Sequence, residues 1–227
     1  MTLRSRLLCG VVATAVLWGG LLLLPLMVPG YSSIRQTVSE IGEIGSPARI
    51  PFAAMLFVLA ACLLLFAWGL RDVSIQLRRS SAAAYLVGSM AVSSVGVGIF
   101  AFPHPLHNVF GLSEIIGYQA PWVLALTWRR IEKVRTFVAF SWVMAALVWC
   151  TIIANLGVLD WHGTLQHLER PVYGIVQRLL FFAWFVWLAG ASLMLAINRS
   201  ISGVGGGPEG FAGDSRFPSH AADRLDP

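Results

Sequence analysis

The sequence predicts an all-α fold: a polytopic membrane bundle of six helices with both termini cytoplasmic. Six apolar runs are each long enough to cross about 30 Å of hydrocarbon, which takes roughly 20 helical residues. Of the 227 residues, 57% are hydrophobic and 12% charged, with a mean hydropathy of +0.73. A water-soluble domain carries roughly 25% charged residues, so this chain lacks the polar surface such a fold needs. Lys and Arg, finally, collect on alternate loops.

The runs fall at about 7–29, 51–70, 82–102, 108–128, 136–158 and 174–197. Arg4 and Arg6 precede the first, as in a signal peptide. Its apolar stretch exceeds the usual signal core of roughly 7–15 residues, and Leu26-Met-Val-Pro-Gly-Tyr31 is no small-residue cleavage site. Leu7-Leu8-Cys9-Gly10 is not a lipoprotein box either, because Cys9 opens the apolar run rather than following it. Cys9, Cys62 and Cys150 all lie inside apolar runs, which excludes a disulfide scaffold. The pI of about 9.6 does not point to nucleic acid, because the basic residues form short clusters between the runs.

Orientation follows from those clusters. With the N-terminus inside, the cytoplasmic segments hold Arg4, Arg6, Arg71, Arg78, Arg79, Arg129, Arg130, Lys133, Arg135 and Arg199. The opposite loops hold Arg35, Arg49 and Arg170, with Arg178 a little inside the sixth span. Positive charge is retained on the cytoplasmic side, so every loop gives the same answer. The spans and their loops form one unit, 1–198. The remainder, 199–227, is rich in Gly, Pro and Ser and is expected to be a disordered cytoplasmic tail without a site, His220 included. There is no internal repeat beyond the alternation of spans.

The external connections, Tyr31–Arg49, Pro103–His107 and Leu159–Val172, hold most of the remaining ionisable residues. In the first, Ile34, Val38 and Ile41 recur at helical spacing; Gln36, Glu40 and Glu43 form a second stripe, and Arg35 with Ser39 a third. The pattern predicts a short helix, capped by Ser32 or Ser33 and ended by Gly42 or Gly45. It lies either in the membrane interface or on a solvated loop.

In the fourth span His107, Gly111, Glu114 and Tyr118 share one helical face. Glu114 lies roughly 10 Å beyond His107 along the axis. A carboxylate at that depth needs a partner or a wet cavity, unless the span begins only near Ile115. Arg178, beside Tyr173 and Gln177, either snorkels to the headgroups or pairs with Glu114. His104 with His107, and His162 with His167 near Asp160, lack the spacing of a metalloprotease pair, and no metal is expected. Gly96-x-Gly98, among small residues, reads as close helix packing. Trp122, Trp128, Trp142, Trp149, Trp161, Trp184 and Trp187 read as interface anchors or bundle filling. No nucleophile elbow or Walker sequence occurs.

Three strings carry a family likeness: Tyr31-Ser-Ser-Ile-Arg35-Gln-Thr-Val-Ser39-Glu40-Ile-Gly42 after span one, Gly98-Ile-Phe-Ala-Phe102-Pro103 with His107-Asn108, and Gly174-Ile-Val-Gln177-Arg178-Leu179 with Trp187 beyond. From about residue 10 to 197 the chain resembles the prokaryotic membrane family called domain of unknown function 998 (DUF998). The resemblance implies a six-helix bundle in a prokaryotic plasma membrane and no particular activity. Its matching polar positions are Arg35, Ser39, Glu40, His107, Gln177 and Arg178. The family usually has an acidic residue soon after Phe-Pro, where this chain has His104-Pro105, and Glu114 is not part of the pattern.

Three functions remain. The first is an external pocket for a polar lipid headgroup or similar amphiphile, with Arg35, Ser39, Glu40, His107, Glu114, Gln177 and Arg178 as candidate ligand-binding residues. Arg35 and Arg178 would hold an anionic group and His107 or Glu40 would serve as acid or base if turnover occurs. The second is an accessory subunit whose polar residues fix helix packing. The third, a transporter, is disfavoured because the inner halves of the spans hold almost no ionisable residue. No cofactor is expected; the expected partners are membrane lipids, not nucleic acid, and protein partners are open. If Arg35, His107 and Arg178 stand more than about 15 Å apart, the first reading fails; if they meet with no cavity beside them, the accessory-subunit reading holds.

Overall fold

The structure, a computed structural model, describes residues 1–159 and 170–198. His162, His167, Asp160, Trp161 and the segment 199–227 lie outside the described residues. Among those described, all regular structure is helical. Six stretches are long and apolar enough to cross a membrane: Leu3–Met27, Arg49–Gln76, Ala82–Ile99, Pro105–Trp128, Glu132–Leu156 and Tyr173–Ile197. The chain is therefore a six-span helical membrane protein.

α1 (Leu3–Leu23) opens on Thr2, whose hydroxyl accepts the Ser5 N–H at 3.2 Å. Pro25 has no N–H to continue the ladder, and the helix tightens into a 3-10 turn, Leu24–Met27. α2 (Arg49–Gln76) runs past the expected end at residue 70, so Arg71 and Asp72 stand on helix rather than on a loop. Arg6 of α1 meets Asp72 there at 2.7 Å and lies 4.8 Å above the Trp68 ring. α3 (Ala82–Ile99), α6 (Arg135–Leu159) and α7 (Tyr173–Ile197) follow the expected spans closely.

The fourth span is not one helix. It divides into α4 (Pro105–Gly117) and α5 (Ala120–Trp128). Pro121 lacks the N–H that would reach the Gly117 carbonyl, and its ring crowds that carbonyl. The orphaned oxygen is taken by the indole N–H of Trp184 on α7, at 3.1 Å. Because α4 begins at Pro105, Glu114 stands well within the helix rather than at a span boundary.

The helices form a ring in chain order. α2 packs on α1 and α3, α3 on α4 and α5, α5 on α6, α6 on α7, and α7 returns to α1. Connections as short as 77–81 force neighbouring spans antiparallel. The ring closes through small and polar residues, since lipid offers no hydrophobic drive between helices. Ser192 of α7 donates to the Leu7 carbonyl and accepts the Val11 N–H at 3.3 Å, while Thr14 donates to the Phe185 carbonyl at 3.1 Å. A Cβ at Gly10 would come within 3.0 Å of both Phe66 and Ser192, so only glycine permits this approach. Trp128, Trp184 and Trp187 are fully buried filling, and Trp187 donates to Ser141 on α6 at 3.0 Å.

The helix expected after α1 does not form. Residues 28–48 contain instead a 3-10 turn, Val38–Gly42, capped by Thr37 rather than by Ser32 or Ser33. The local polar groups compete with the helical ladder. Gln36 Oε1 accepts the Ser32 N–H at 2.7 Å, and the Ser33, Gln36 and Thr37 carbonyls are taken by side chains described below. Val38 and Ile41 are buried as the periodicity suggested, but Ile34 is exposed. Gly45, at φ +96°, turns the chain toward α2.

Candidate functional site

The loop that joins α1 to α2 is stitched to two helices. On α7, Gln177 Oε1 accepts the Val38 N–H at 2.7 Å. The Arg178 guanidinium donates to the carbonyls of Ser33 at 2.8 Å and Gln36 at 3.1 Å, to its own helix at Gly174 (3.0 Å), and to the Tyr31 hydroxyl at 2.7 Å. Tyr31 passes the chain of bonds on, donating to the Thr37 carbonyl at 2.7 Å. Burial pushes the Tyr31 hydroxyl above its ordinary value, although Arg178 pulls it the other way, so it stays a neutral donor. The Ile175 N–H adds a backbone bond to the Ile34 carbonyl at 3.2 Å. Gly174 makes the approach possible: a Cβ there would fall within 2.9 Å of the Ile34 carbonyl oxygen and closer still to those of Ser33 and Gln36.

On α4, His107 holds the other side of the loop. It is 4% exposed; Nδ1 lies 2.7 Å from the Phe100 carbonyl and Nε2 lies 2.8 Å from Ser39 Oγ. Since a carbonyl only accepts, Nδ1 carries a proton, and in the neutral ring Nε2 accepts from Ser39. His104, by contrast, is exposed and caps α4, its Nδ1 accepting the Leu106 N–H at 3.2 Å. The two histidines thus have separate local tasks. Among the described residues no three His, Cys, Asp or Glu side chains gather as metal ligands would.

Glu40 is a capping residue. Its Oε1 accepts from the Thr37 N–H at 2.9 Å and the Thr37 hydroxyl at 3.0 Å, and its Oε2 from Gln36 Nε2 at 2.9 Å. Arg35 is exposed, and among the described residues no side-chain bond engages it. Of the two alternatives for Arg178, the pair with Glu114 does not form. Arg178 is drawn to loop carbonyls instead, and Glu114 Oε2 accepts the hydroxyl of Tyr118, one turn on, at 3.0 Å.

Beneath the loop the ring of helices encloses a cavity of about 420 Å³. Thr37, Val38 and Ser39 roof it; His107, Asn108, Glu114, Tyr173 and Gln177 supply polar walls. Further along their helices Leu17, Leu59, Met90 and Phe185 make the deeper lining apolar. A smaller cavity of about 130 Å³ adjoins it between α4, α6 and α7, and shares Gly111, Leu112, Glu114, Tyr173, Gln177 and Phe181 with it. Asn155 on its wall donates to the Val176 carbonyl at 3.2 Å.

Of the seven candidate residues, Ser39, His107, Glu114 and Gln177 line the main cavity. Arg35, Glu40 and Arg178 do not: one is exposed and the other two hold the loop. The sequence reading missed Tyr31, which bridges Arg178 to the loop, although it heads the same motif string. Tyr173, which shares a face with Gln177, was the available signal for the α7 wall.

These features define a class: a multi-pass helical membrane protein whose spans ring an internal cavity under a tightly bonded loop. The family model described as "Protein of unknown function (DUF998)" matches residues 11–194, and the chain belongs to that family. No curated protein and no solved structure matches it.

Proposed function

We propose that the protein binds an amphiphile, a polar lipid or a molecule of similar build, in the cavity under the α1–α2 loop. One observation carries the reading. A single cavity of about 420 Å³ combines hydrogen-bonding groups near the loop with hydrocarbon walls deeper in the bundle. Small-molecule sites are concave, mostly apolar and furnished with a few convergent polar groups, and this one has that composition. The distribution of Lys and Arg supports placing the loop and the cavity mouth outside a cell membrane, with both described ends of the chain inside.

Gly111 gives a clean test. It lines both cavities on the face shared by His107 and Glu114, and a Cβ added there meets nothing within 4 Å. Gly111→Leu therefore starts a bulky side chain from an open position on the cavity wall and replaces a poor helix former. Native mass spectrometry of gently extracted protein is expected to show a lipid-mass adduct on the wild type that the variant loses while staying folded. The same adduct on both, or none on either, overturns the proposal. A second reading, an accessory subunit with no ligand, is favoured by the loop-holding tasks of Arg178 and Glu40 and is what the negative result would leave.

A further inference from the structure

We infer that the cavity selects an amphiphile bearing a protonated amine or a comparable cationic donor, with Glu114 as its counter-ion. This inference rests on the amphiphile reading above and reverses the charge expected from the sequence. An anionic head would need Arg35 or Arg178, yet neither reaches the cavity. Among the described residues Glu114 is the one formally charged side chain on either cavity wall, and no Lys or Arg joins it.

The carboxylate is only half satisfied. Tyr118 donates to Oε2 at 3.0 Å, and no described group donates to Oε1. The side chain is half-buried on the wall that the two cavities share. A carboxylate inside a membrane bundle calls for a cation, and none of the described residues supplies one. Nearby, the Gln177 amide oxygen is already engaged by Val38, which leaves Glu114 as the strongest free acceptor.

The position of Glu114 also fits entry from the bilayer. It stands where the two cavities meet, on the side where α4 faces α6 and α7. α4 packs chiefly on α3, whereas below the Pro121 break α5 packs on α6, so the seam between α4 and α7 is thin at the loop end. Apolar Leu112, Ile115, Ile152 and Phe181 border the smaller cavity and would pass a hydrocarbon tail inward while the head meets Glu114.

The test uses the full chain in nanodiscs of zwitterionic lipid, doped in turn with hexadecylamine, hexadecanol or hexadecanoic acid, with retained adducts counted by native mass spectrometry. Charge-assisted hydrogen bonds imply that the wild type retains the amine roughly ten- to a hundredfold better than the alcohol, and the acid least. Glu114→Gln keeps the side-chain shape and is expected to bring amine retention down to the level of the alcohol in the same variant. Equal retention of all three probes, or a preference that survives Glu114→Gln, overturns the inference but leaves the cavity reading intact. If none is retained above the level of Gly111→Leu, the cavity reading falls as well.

Discussion

Arg178 anchors the α1–α2 loop, whereas Arg35 on that loop is exposed, so truncating each is expected to have very different effects. Arg178 reaches three groups of the loop, the Ser33 and Gln36 carbonyls and the Tyr31 hydroxyl, at 2.7–3.1 Å. Truncation to Ala leaves those groups without their donor in a half-buried setting. A hydrogen bond to a charged group contributes about 1.5–3 kcal/mol, and three that share one side chain are not additive. The expected loss is therefore about 3–5 kcal/mol, a large share of the 5–15 kcal/mol that holds a typical domain. Arg178→Lys keeps the charge but replaces a planar fork with a compact ammonium that cannot span the same acceptors, and is expected to lose about 2 kcal/mol. Arg35→Ala, at an exposed and unbonded side chain, is expected to stay within about 0.5 kcal/mol of the wild type. Reversible unfolding in detergent micelles measures all three. An Arg178→Ala variant within about 1 kcal/mol of the wild type, or an Arg35→Ala variant as costly as Arg178→Ala, refutes the assignment of Arg178 to loop anchoring.

The break in the fourth span gives a coupled pair: Trp184→Phe removes the donor to the Gly117 carbonyl and is expected to cost about 2 kcal/mol, while Pro121→Ala restores a backbone donor and shrinks that cost in the double variant. Ser39→Ala, which removes the bond to His107 Nε2, is expected to lose about 1 kcal/mol and to speed amide exchange at residues 38–42. For orientation, an impermeant maleimide on intact cells is expected to label Arg35→Cys but not Arg79→Cys, in a background without Cys9, Cys62 and Cys150; the opposite pattern inverts the topology.

The spans were legible because the bilayer imposes one demand, roughly 20 apolar residues per crossing, that composition alone answers. The α4–α5 break was also written in the chain, at Pro121, but its stabilisation was not, since the Trp184 indole arrives from a helix over sixty residues away. The loop was misread for a physical reason. The stripes of Ile34, Val38 and Ile41 describe a helix, but helical periodicity says nothing about which carbonyls a distant arginine will claim. Arg178 and Tyr31 bind those of Ser33, Gln36 and Thr37, and these tertiary bonds compete with the helical ladder there. Charge pairing misled in the same way. Glu114 and Arg178 both lie in the loop-side halves of their spans, yet each found a nearer partner: Tyr118 one turn along, and the loop backbone. The bounds of the cavity could not be read, because they exist only where the ring of helices closes.

The most direct measurement is photocrosslinking with a hexadecyl amphiphile carrying a tail diazirine, offered with amine and hydroxyl heads to the protein in nanodiscs. Labels are expected on the inward residues Leu59, Met90 or Phe185, and are expected to disappear in Gly111→Leu. Labels confined to outward residues such as Leu64, Val92 and Ile153, unchanged by Gly111→Leu, would contradict an amphiphile-binding cavity.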